Sequence, residues 1–92
     1  MYKLELQIYL IVDGSVSNDS VDVSVEGEDV EKLKERISGL VLSALAPFDL
    51  KRCECLVEML IEKDGEYYDH DDAFVVADLE NNKLTMGVEK SC

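Results

Sequence analysis

A chain of 92 residues, 47% of them apolar, is long enough for one domain spanning 1–92 and too apolar for a disordered tail. Against 21 Asp and Glu stand 9 Lys and Arg, a net charge of −12. That balance opposes direct binding to DNA, RNA or an anionic membrane, where each contact would add repulsion.

The first residues, Met1-Tyr2-Lys3-Leu4-Glu5-Leu6, alternate polar and apolar side chains and read as a strand rather than a signal peptide. Leu4, Leu6, Ile8, Leu10 and Val12 form its inward face. Asp13-Gly14 opens a polar turn expected to run to Asp19, after which Val21, Val23 and Val25 alternate with Asp22, Ser24 and Glu26 in a second strand ended by Gly27. Asp29 is the expected N-cap of a helix whose apolar stripe is Val30, Leu33, Ile37, Leu40, Val41, Ala44 and Leu45. Leu42 lies off that stripe, and Pro47 stops the helix.

Cys53, Cys55, Val57, Met59 and Ile61 form the inward face of a third strand, opposite Glu54, Leu56, Glu58, Leu60 and Glu62. Asp64-Gly65 predicts a two-residue type I′ turn with Lys63 facing Glu66 and Ile61 facing Tyr68. A second tight turn at Asn81-Asn82 is expected to pair Leu79 with Leu84, Ala77 with Met86 and Val75 with Val88. These two registers differ in phase, so a bulge must reset it, and Asp69-His70-Asp71-Asp72 is the expected place. The fold class is therefore α+β, in the order β-β-α-β-β-β, with one helix on a mainly antiparallel sheet. This order of elements resembles the ubiquitin-like β-grasp, although Val88-Glu89-Lys90-Ser91-Cys92 lacks the Gly-Gly ending that conjugation needs.

The charge is sorted along the chain. Residues 1–31 carry a net −7, residues 32–52 a net +3 and residues 53–82 a net −9. The alternation places Glu5, Asp22, Glu26, Glu54, Glu58 and Glu62 on the sheet face away from the helix, with Tyr9, Ile11, Leu56, Leu60, Phe74 and Val76 among them. Asp69, Asp71 and Asp72 extend the same acidic surface as a solvated bulge. Carboxylates repeating every ~6.5–6.8 Å along several strands imitate a phosphate array. The apolar side chains suit a partner or a second copy of the chain.

Catalytic and metal signatures are weak. Asp69-His70-Asp71-Asp72 fits neither a calcium loop nor a zinc spacing, and Cys53-x-Cys55 lacks a second pair of soft ligands. The three Cys fit a reducing cytoplasm, of a cell or of a host occupied by a virus. No enzyme activity, metal or cofactor is expected. In size, acidity and lack of catalytic motif the chain is similar to phage-encoded DNA-mimic inhibitors, which block nucleoid proteins, polymerases, nucleases, or restriction and CRISPR enzymes. The resemblance implies an inhibitor that occupies the nucleic-acid-binding surface of a basic protein. The sorting of charge and apolar residues makes Glu5, Asp22, Glu26, Glu54, Leu56, Glu58, Leu60, Glu62, Asp69, Asp71 and Asp72 the expected partner-binding residues, and the apolar patch would suit a homodimer. The rival expectations are a β-grasp-like interaction adaptor and an immunity protein against a basic toxin.

Overall fold

The computed structural model describes residues 1–86 as five strands in one antiparallel sheet with a helical segment across one face. The elements are β1 (Tyr2–Val12), β2 (Ser15–Gly27), α1 (Val30–Glu35), α2 (Ile37–Leu45), β3 (Arg52–Lys63), β4 (Glu66–Asp78) and β5 (Lys83–Met86). Strand order is β2-β1-β3-β4-β5, and every neighbouring pair is antiparallel. No helix among the described residues is long and apolar enough to cross a membrane.

One side of the sheet and the helical segment make the core. Leu4, Leu6 and Ile8 of β1, Cys55, Val57, Met59 and Ile61 of β3, and Val75 and Ala77 of β4 are buried with Leu33, Val41, Leu42 and Leu45. The period-two reading of β1 and β3 thus holds, except that Val12 is 63% exposed at the strand end.

Both Asp-Gly turns adopt positive φ at both residues, Asp13 at 52° with Gly14 at 79° and Asp64 at 52° with Gly65 at 86°, as a type I′ hairpin demands. The first turn is therefore only two residues long. Ser15–Asp19 is strand, not loop, and the surplus residues are absorbed by a register shift between Tyr9 and Ile11.

The helix is broken rather than continuous. Asp29 caps it as expected, its carboxylate accepting the backbone N–H groups of Glu31 (3.0 Å) and Lys32 (3.4 Å). At Arg36 the N–H donates to the Leu33 carbonyl at 3.1 Å, a tightened turn, and α2 restarts with the Leu40 N–H on the Arg36 carbonyl at 2.9 Å. Ser38 and Gly39, both poor helix formers, occupy the next turn. Beyond the break the buried face moves round by about one residue position, which carries Leu42, off the expected stripe, into the core. Ala46–Phe48 then forms a 3₁₀ turn containing Pro47, closed by Asp49 in the left-handed region.

A bulge does reset the phase of β4, but immediately after the turn. Lys63 faces Glu66 and Glu62 faces Tyr67, whereas Ile61 faces Asp69, leaving Tyr68 as the extra residue. Tyr68, the bulged residue, packs edge-on against Tyr2, ring centroids 5.1 Å apart, a contact that favours the bulge there over one within Asp69–Asp72. The last hairpin is also shifted by two residues: Ala77 faces Leu84 and Val75 faces Met86, across a four-residue loop, Leu79–Asn82. Val88 lies outside the described residues.

Gly27 ends β2 directly beneath Leu33, where a Cβ would come within 3.0 Å of Leu33 Cδ2. Leu33→Ala is expected to cost about 2–5 kcal/mol in urea unfolding. Gly27→Ala should destabilise the native chain by about 1 kcal/mol through this overlap, yet be neutral or stabilising in the Leu33→Ala background, a coupling that a double-mutant cycle measures.

Candidate binding face

Because Leu4, Leu6 and Ile8 face the helix, the odd-numbered residues of β1 face outward, and the register carries this alternation across the sheet. Four rows cross four strands on this outer face. Glu26, Lys3, Glu62 and Tyr67 form the first; Ser24, Glu5, Leu60 and His70 the second; Asp22, Gln7, Glu58 and Asp72 the third; Ser20, Tyr9, Leu56 and Phe74 the fourth. Glu54 follows between Ile11 and Val76, and Arg52 faces Asp78 at the end.

The charge on this face is poorly compensated. Among the described residues Lys3 is its one cation over the first three rows, and its ammonium lies 3.0 Å from Glu5 Oε1. The hydrogen bond and charge of Glu5, with further help from Glu62 and Glu26, raise the Lys3 pKa above its ordinary value. The remaining ion pairs among the described residues, Met1 amine to Asp64 and Lys34 to Asp69, lie elsewhere. Glu58 and Asp72 are direct cross-strand partners, with no cation among the described residues paired to either, an arrangement that costs stability.

Next to the carboxylates runs an apolar strip. Tyr9, Leu56 and Phe74 align across three strands, with Ile11 and Val76 in the following row; Phe74 is 47% exposed and the others half-buried. Val16, opposite Ile11 and 43% exposed, extends the strip toward the β2 edge. Reading Ser15–Asp19 as loop hid Val16; the Asp13-Gly14 pair, a two-residue turn signal in its own right, was the clue to a longer strand.

The expected partner-binding residues do not all share this face. Glu5, Asp22, Glu26, Glu54, Leu56, Glu58, Leu60, Glu62 and Asp72 do. Asp69 and Asp71 do not, because the bulge at Tyr68 sets them opposite Ile61 and Met59 on the helix side. There they border a cleft of about 340 Å³ with Lys34, Ile37, Val57 and Met59, and Lys34 Nζ is 3.8 Å from Asp69. Each of these carboxylates also accepts the next backbone N–H, from His70 and Asp72, at 2.9 Å. β5 pairs with β4 only over Val75–Asp78, so these bonds occupy donors on a stretch of β4 that no described strand covers on that side. The four residues Asp69–Asp72 therefore split between two faces. Among the described residues no three His, Cys, Asp or Glu side chains converge as a metal site requires.

Comparison with protein-family models, with curated proteins and with solved structures finds no match.

At the far end of the outer face Asp78 holds its turn together. Its carboxylate accepts the Asn81 side-chain amide at 2.8 Å and the Asn81 backbone N–H at 3.2 Å, and these bonds lower its pKa, with smaller help from Arg52 and Glu80. A depressed folded-state pKa adds stability that is present above the unfolded value and is lost as pH falls through the folded one. Asn81→Ala should move the Asp78 carboxyl titration, followed by carbon-detected NMR, upward toward an ordinary aspartate. An unchanged midpoint would assign the shift to another cause.

Proposed function

We propose that this chain is a non-enzymatic acidic binding protein whose outer sheet face occupies the nucleic-acid-binding surface of a basic protein and so inhibits it. One observation carries the reading: Glu58 and Asp72 oppose each other on a face shared with Asp22, Glu5 and Glu62, where Lys3 is the one cation among the described residues of those rows. Carboxylates kept only for solubility need not be set against one another at a cost in stability. Rows ~6.7 Å apart along the strands, with neighbours ~4.8 Å apart within each row, present Lys and Arg side chains with a two-dimensional array of carboxylates in the manner of a phosphate backbone. The field steers a fast, salt-sensitive encounter, and the strip of Tyr9, Leu56 and Phe74 supplies contact that salt does not weaken. An immunity protein against a basic nuclease toxin would use the same physics on a different target.

The double change Glu58→Gln and Asp72→Asn separates this role from solubility. It should raise thermal stability slightly, by about 0.2–1 kcal/mol, while weakening capture of basic nucleic-acid-binding proteins from lysate at low salt. Bound partners should elute with rising salt and be displaced by duplex DNA. Binding that persists unchanged from low to half-molar salt, or in the double variant, overturns charge mimicry.

A further inference from the structure

Cys53 and Cys55 lie two apart on β3 and face the helix side as free thiols. Their sulfurs are 3.7 Å apart. That is far beyond the ~2.05 Å of a disulfide. Two sulfurs at this distance are in van der Waals contact, and they need draw together by only about 0.3 Å for one trivalent, pyramidal atom to bond both. The spacing is held by the sheet rather than by a loop, since Cys55 sits between Leu10 of β1 and Val75 of β4, and Cys53 faces Ala77.

The two thiols have different access. Cys55 is wholly buried, whereas Cys53 is half-buried and lines an open groove of about 490 Å³ with Leu10, Val12, Leu50 and Arg52. One sulfur is reachable from solvent, and the other stands directly behind it.

We infer that Cys53 and Cys55 form a dithiol site for trivalent organoarsenicals, the groove receiving the organic substituent. The chemistry is a condensation. The Cys53 sulfur bonds to the arsenic of R–As=O, and its proton passes to the oxygen. Cys55 then forms the second As–S bond, and the oxygen leaves as water carrying both thiol protons. Arsenic stays trivalent, and no oxidant or reductant is needed. The second bond is intramolecular and therefore favoured over capture by a separate thiol.

A divalent metal ion suits the pair less well. It must expel both protons into solvent, and burial together with the neighbouring Cys53 pushes the Cys55 thiol up to about 12. The described residues also offer no third His, Cys, Asp or Glu to complete its shell.

The probe is phenylarsine oxide, added at one equivalent to the folded full-length chain. Intact-mass spectrometry should show one phenylarsenic group per chain and a loss of two titratable thiols. The adduct should survive excess glutathione and be removed by excess ethanedithiol. Cys53→Ser, at the half-buried position, should abolish the glutathione-resistant adduct while circular dichroism shows the fold retained; Cys55→Ser should do the same, and Cys92→Ser should leave it intact. A resistant adduct that persists in Cys53→Ser, that is lost in Cys92→Ser, or that forms only after denaturation overturns the assignment.

Discussion

The structure depends on a single apolar seam. Leu4, Leu6, Ile8, Val57 and Ile61 meet Leu33, Val41 and Leu45 on one side of the sheet, and their burial decides which way every other side chain points. A one-residue slip of β1 would turn Glu5 inward and Leu6 outward. The acidic lattice is therefore a by-product of core formation in its placement, although not in its composition. The seam would tolerate Ser or Thr at many of the outward positions that hold Glu and Asp. That these positions instead accumulate like charges, one pair directly opposed, is the feature that sets this sheet apart from an ordinary soluble one.

Much of this was legible because period-two alternation is a strong signal when one face is buried. The inward faces of β1 and β3, the N-cap at Asp29 and the tight turn at Asp64-Gly65 were all readable from residue type and spacing. What escaped were shifts of register, which depend on contacts between residues distant in sequence. The bulge at Tyr68 is favoured by Tyr2, at the other end of the chain's first hairpin, which offers a ring to pack on. No local pattern around Asp69–Asp72 encodes that contact. The same displacement moved Asp69 and Asp71 from the acidic face to the helix side. The break at Arg36 was equally hidden, since the stripe from Val30 to Leu45 fits an unbroken helix well enough on paper.

Asp69 and Asp71 also show how one residue type serves different ends within a few positions. Asp72 faces out among other carboxylates, while Asp69 and Asp71 turn back to accept the backbone N–H beside them and Asp69 also meets Lys34. Composition alone treats the three as one cluster. The bulge makes them two devices, an anionic surface and a self-capped strand edge.

The connectivity of the sheet has a kinetic corollary. All five strands can find a neighbour through a short connection, β1 with β2 at Asp13-Gly14, β3 with β4 at Asp64-Gly65 and β4 with β5 across Leu79–Asn82. Only β1 with β3, where Leu6 meets Met59, must bring together segments separated by the whole helical region. Closing that long loop carries most of the entropic cost of reaching the native topology. The two hairpins can be viewed as prefabricated halves, and the Met1 amine on Asp64, with the Asp64 N–H on the Met1 carbonyl, as a clasp at one end of their seam.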